Sequence, residues 1–203
     1  MKTPFVKSIR SFGWALVLTA AVAGFSACNN DDDDDNQNPT PQLNTTDQQF
    51  MQTAKLGNNA EIQTSRLALT NSQDTSVRSF AQMMITHHTA ANRSLDSLAG
   101  LRKVTLPDSS QLDSSARAMV TMLTSMKDST GTGIADSVAY SFSRAYISGQ
   151  VQAHTKAQTD YQSYINNSQA QDAGVKGYAT KTLPLVQSHL QEAQTIQNSY
   201  SPQ

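Results

Sequence analysis

Val77, Ala81, Met84, His88, Ala91, Leu95 and Leu98 follow one another at spacings of 4, 3, 4, 3, 4 and 3. That rhythm places seven side chains on one stripe of an α-helix, and the stripe has to be covered by other helices. Three more segments carry the same kind of seam. Over 46–71 it reads Phe50, Ala54, Gly57, Glu61, Thr64 and Ala68. Over 135–167 it reads Tyr140, Arg144, Ile147, Val151, His154, Gln158, Tyr161 and Ile165. Over 172–199 it reads Val175, Ala179, Thr182, Val186, His189, Ala193 and Ile196. The chain is therefore expected to be all-α.

Asp74 is a fitting N-cap for the second helix, and Gly100 lies near its end. Thr45, Thr46 and Asp47 offer N-caps for the first. Pro184 falls inside the fourth segment and is expected to kink or divide it. Short links join helices one to two and three to four. A long link, residues 102–134, joins two to three and holds a predicted short helix near 110–127, between Pro107 and Gly131-Thr132-Gly133. This is the connection pattern of a ferritin-like four-helix bundle with an additional short helix. An up-down-up-down bundle with an extra helix also satisfies it.

Each seam is interrupted by one side chain able to bind a metal: Glu61, His88, His154 and His189. One residue of slip turns a side chain about 100° away from the core, so the register is a strict filter. Three of the four histidines pass it; His87 does not. With turns near 73 and 170, all four polar residues fall near mid-helix, Glu61 at about 18 Å and His88 at about 22 Å from the first turn. Two readings stay open. The four form a hydrogen-bonded polar core, completed by Tyr146, Tyr161 or Thr89, or they are the ligand set of one transition-metal ion. Three imidazoles and a carboxylate suit zinc, iron or copper better than calcium or magnesium.

Several chemistries are excluded. A di-iron carboxylate site needs four carboxylates, two of them in Glu-x-x-His pairs. The chain has two glutamates, Glu61 and Glu192, and the residues three before the seam histidines are Ile85, Val151 and Val186. Glu192 is expected on the helix surface. Met119, Met122 and Met126 share one face of the short helix, read as core filling rather than a Cu(I) site. No nucleophile elbow, P-loop or dinucleotide-binding glycine pattern is present, so no catalytic residue is assigned. The formal net charge of −1 leaves no basic excess for nucleic acid.

The N-terminus reads as an address. Lys2, Lys7 and Arg10 precede an uncharged stretch, residues 11–27, which ends in Phe25-Ser26-Ala27 before Cys28, the one cysteine. That is the form of a secretory signal, and small residues before a lone cysteine resemble a bacterial lipobox. An uncleaved membrane anchor is the alternative, at the short limit of length. Residues 1–27 are thus expected to be a lipoprotein signal peptide, with Cys28 lipidated. Residues 28–44 are expected to be a tether, acidic through Asp31–Asp35 and disordered, and 45–203 the helical domain. The acidic run after the cysteine resembles a surface-export signal of bacterial lipoproteins. Membrane association through the lipid, and an outer-membrane location on the cell surface or the periplasmic face, follow as expectations.

Finally, several clusters together resemble one family. They are Ala60-Glu61 with Leu67-Ala68, Phe80-Ala81-x-Met83-Met84 through His88-Thr89-x-x-Asn92, Arg144-Ala145-Tyr146 with Val151-x-x-His154, and Thr182-Leu183-Pro184 with His189-Leu190. The chain resembles, over about residues 48–196, the ferritin-like family catalogued as domain of unknown function 4142. The resemblance implies a four-helix fold and an envelope location, and no established activity. It also places recurrent polar positions at Glu61, His88, His154 and His189. An acid usual before the second-helix histidine is replaced by His87, and one before the third-helix histidine by Ala153.

Overall fold

The structure is a computed structural model and describes residues 43–129 and 139–200. Five helices are described: α1 (Thr45–Asn71), α2 (Thr75–Arg102), α3 (Ser114–Thr124), α4 (Ser141–Asn166) and α5 (Ala173–Ser199). Cys28 and the acidic run lie outside the described residues, as do Gly131 and the predicted start of the third helix at 135. Among the described residues no helix is long and apolar enough to cross a membrane.

Local chemistry sets the helix ends. Asp74 caps α2 as expected, accepting from the N–H groups of Ser76 and Val77. The α1 cap is Asn44, whose side chain accepts from Asp47 N–H, rather than any of the three residues first considered. Asp47 has a different task. It is buried and accepts hydrogen bonds from the Tyr164 hydroxyl at 2.6 Å and from Asp172 N–H at 3.0 Å, tying the start of α1 to the α4–α5 turn. Helix α2 runs past Gly100, and the left-handed residue that ends it is Lys103, at φ 53°. Pro184 does not divide α5. The helix is anchored on both sides of the proline by buried residues, Val175 and Ala179 before it and Val186, His189 and Ala193 after it.

The course of the chain follows from its contacts. Helices α1 and α2 pack as a pair, as do α4 and α5; α2 also packs on α5, and α1 on α4. The end of α2 meets the start of α5 through the Arg102–Asp172 ion pair at 2.7 Å. The connection then runs back along α1, where Asn59 donates to the carbonyls of Asp108 and Gln111. Helix α3 lies on α1 and α4. Beyond it Asp128 reaches the α1–α2 turn, accepting from Gln73 N–H, while its own N–H donates to Asn71 O. Asp128 also accepts from Ser143 N–H at 3.1 Å, in the first turn of α4. Helix α4 therefore starts at the end of the bundle where α2 starts, and the two run parallel.

Two apolar clusters fill the ends. One gathers Phe50, Met51, Leu95, Tyr164 and Val175, with the Phe50 and Tyr164 rings stacked at 3.9 Å between centroids. The other gathers Val77, Met84, Phe142, Ile147 and Ile196. In α3 the buried residue is Leu123; Met119 and Met126 pack against the second cluster, whereas Met122 is exposed. The three methionines thus part company, because Met126 lies beyond the end of the helix and Met122 faces outward.

Candidate functional site

Between the apolar ends, α2, α4 and α5 each send one imidazole inward. His88, His154 and His189 are buried, and one ring nitrogen from each lies within 4.8 Å of the others. The ring centroids are 5.3 to 5.8 Å apart. The heptad register produces this: all three interrupt seams near mid-helix, so helices packed side by side bring them to one level.

Each ring is held by one nitrogen. His88 Nδ1 is 2.8 Å from Asn58 Oδ1, and His154 Nδ1 is 2.9 Å from the Gln150 carbonyl. Both partners are acceptors, so both Nδ1 atoms carry the proton and both Nε2 atoms carry a lone pair. His189 Nε2 is 2.8 Å from His87 Nδ1. The remaining nitrogens of His88 and His189 are buried with no hydrogen-bond partner. A nitrogen fixed from outside with its opposite nitrogen free is the arrangement that orients an imidazole as a metal ligand.

His87 is the residue that register reasoning set aside. It is half-buried, its ring lies nearly parallel to that of His189 with 5.1 Å between centroids, and it bonds that ring directly. Adjacent residues on a helix point about 100° apart, so His87 misses the shared centre. It still reaches sideways to α5, and its signal in the sequence was only its place next to His88.

Glu61 is brought to the layer but not into the convergence of the three nitrogens. Its Oε1 is 3.9 Å from His154 Nδ1, the nitrogen already engaged by the Gln150 carbonyl. From α1 the carboxylate meets the outer edge of that ring. Its other oxygen, Oε2, is buried without a partner. Asn58 and Gln150, which hold two of the rings, were not foreseen. Tyr146 and Tyr161 turn elsewhere, to Ser65 at 2.8 Å and Tyr178 at 3.4 Å. Glu192 is exposed, as expected.

Burial governs the charges. It pushes His88 well below the usual imidazole range, reinforced by His154, His189 and His87. His189 is lowered to about 3 by burial, then by His154 and His87. Both rings are therefore neutral at physiological pH, the form that donates a lone pair to a metal. Burial raises Glu61, opposed by His154.

A cavity of about 380 Å³ adjoins this layer, between α1 and α4 and beside α3. Glu61, His88 and His154 line it together with Phe50, Tyr161 and Met119. Small residues leave the space: Ala54, Gly57 and Ala60 on α1, and Gly149, Ala153 and Ala157 on α4.

Among solved structures, the fold is similar to a DUF305 fragment from Deinococcus radiodurans. The TM-score is 0.62 at 14% identity, covering 78% of this chain and 99% of that one. It is also similar to a conserved hypothetical protein from Mycobacterium tuberculosis, with TM-score 0.53 at 13% identity, covering 78% and 94%. At such identities the likeness is one of fold. No curated protein matches. One family profile does match, over residues 33–196, and by it the chain belongs to the family described as Domain of unknown function (DUF4142).

Proposed function

We propose that this protein is a lipid-anchored, envelope-exposed binding module that holds one transition-metal ion between His88, His154 and His189. The observation that carries the reading is the convergence of three buried imidazole nitrogens from three helices, within 4.8 Å of one another. A tetrahedral zinc ion with bonds of about 2.0–2.1 Å spaces its ligand atoms about 3.4 Å apart. Modest ring movements therefore close the site. Iron and copper accept the same donors.

A purely hydrogen-bonded core is the competing reading. It accounts for the outer contacts to Asn58, Gln150 and His87. It leaves unpaired the inner nitrogens of His88 and His189, and each orphaned buried group costs about 1–3 kcal/mol. A bound cation answers those atoms. Glu61 supports the site by placing a carboxylate beside the outer nitrogen of His154, where it favours a positively polarised ring.

The long return from α2 to α4, with those two helices parallel, supports a ferritin-like arrangement of the bundle. It does not bring ferritin chemistry, since Glu61 is the sole glutamate in the polar layer. Lipid anchoring rests on the basic start, the uncharged 11–27 stretch and the lone Cys28 after small residues.

Elemental analysis of the purified chain tests the metal, after exposure to zinc, copper or iron and desalting. About one ion per chain is expected, with loss in the His88→Ala/His154→Ala variant. Equal and negligible metal in both would end the claim. Native-state binding also raises stability by about 2.7 kcal/mol at a hundredfold excess over Kd, read as a higher melting temperature. Labelling with palmitate tests the anchor: incorporation and membrane fractionation are expected, and both should vanish in Cys28→Ala.

A further inference from the structure

We propose that the cavity between α1 and α4 is a binding site for a small organic ammonium ion with an apolar body. The polar atoms left unpaired around it are acceptors. Glu61 Oε2 and Gln150 Oε1 are buried without partners, and both residues line the cavity. The Glu61 side chain is only 10% exposed, so water does little to satisfy it. A chamber short of donors asks for a ligand that brings them, and an ammonium group brings up to three.

Charge points the same way. Apart from histidines and tyrosines, the ionisable residues that line the cavity are Glu61, Asp113, Asp160 and Lys156. Lys156 is spent on Asp160 through an ion pair one helical turn apart. The balance is acidic, and a cleft of one sign concentrates ligands of the other. The walls suit the rest of such a molecule. Phe50 and Tyr161 offer aromatic surface, Ala54, Met119 and Leu123 offer aliphatic surface, and the volume of about 380 Å³ lies in the range for small-ligand sites.

Glu61 also lies beside His154 of the metal site, but this inference rests on its other oxygen and on the α1–α4 walls, not on the three-nitrogen centre. The test is calorimetric titration of the purified chain in the presence of a chelator. The probes are benzylamine, 2-phenylethylamine and hexylamine, their matching alcohols, and phenylacetate. At least one amine is expected to bind about tenfold more tightly than its alcohol, since a hydrogen bond to a charged group is worth about that ratio. Glu61→Gln should remove the preference for the amine and leave the affinity for the alcohol. Gly57→Leu should weaken both. Gly57 lines the cavity and has nothing within 4 Å of an added Cβ, so a larger side chain can start from this wall without a clash at its first atom. Equal binding of amine and alcohol, tighter binding of phenylacetate, no binding by any probe, or an amine preference that survives Glu61→Gln would overturn the proposal. The chelator keeps a failed metal site from affecting the result.

Discussion

At the two ends of the bundle Met51, Leu95 and Val175, or Val77, Phe142 and Ile147, are fully buried against other apolar side chains. In the layer between them His88 and His189 are buried too, yet one ring nitrogen of each is left without a partner and a cavity lies alongside. The same four helices build both regions. The ends pack apolar side chains densely around a few hydrogen-bonded polar groups such as Asp47 and Asp128. The middle keeps buried polar atoms and empty volume, each of which weakens a fold. Most of the unpartnered buried polar atoms gather in this middle layer, although Arg144 Nε near one end lacks a partner too, and both proposals above rest on that concentration.

The sharpest contrast should come from truncation at a dense end. Leu95→Ala removes a fully buried side chain from the first apolar cluster and should cost about 2–5 kcal/mol in urea unfolding. Loss of much less than 2 kcal/mol would mean that the ends are loosely packed too.

Acid should act on the middle layer. His88 and His189 are held below their usual range, so the unfolded chain binds protons that the folded chain refuses. Stability is then fully present above about pH 6.5 and declines as pH falls toward about 3. Each such ring contributes a slope of up to about 1.4 kcal/mol per pH unit. Glu61, raised by burial, has the opposite sign: its contribution is lost as pH rises through and above its ordinary value of 4.5. The urea midpoint should therefore drop between pH 7 and pH 5 in the metal-free protein, and the drop should shrink in His189→Phe. A flat profile would show that the imidazoles are already solvated.

The smallest effects compare two glycines on either wall of the cavity. Gly57→Ala places a Cβ in open space and should stabilise α1 by about 1 kcal/mol through helix propensity. Gly149→Ala has the same propensity gain, but its Cβ would stand 2.3 Å from Met119 Cε. The methionine has to move, so the net gain should be smaller or reversed. The difference in melting temperature between the two variants measures how firmly α3 is seated on α4.

Much of this was legible from spacing alone. Periodicity placed four helices within a few residues of their ends, apart from the α4 start, and it selected His88, His154 and His189 as inward and level. Legibility failed where a side chain acts across helices. The α4 seam named Arg144 and Val151, yet the buried residues include Phe142, Tyr146 and Gln150, one step around the helix. The short helix and the α1 partner both press on α4, so its covered face is wider than a single stripe. Asp47 read as a cap because caps are local; its real partners, Tyr164 and Asp172, are more than a hundred residues away.

What the amino-acid order determined by itself is the set of helices and the angular position of each side chain, because 3.6 residues per turn is a local property of the backbone. What only the tertiary structure decided is which atoms of those side chains meet. Which nitrogen of each imidazole stays free, why His87 bonds His189 while Glu61 faces the far side of His154, and where the cavity opens all depend on how neighbouring helices are offset. An offset of an ångström or two is set by the sum of packing contacts along whole helices, and no single spacing in the chain encodes that sum.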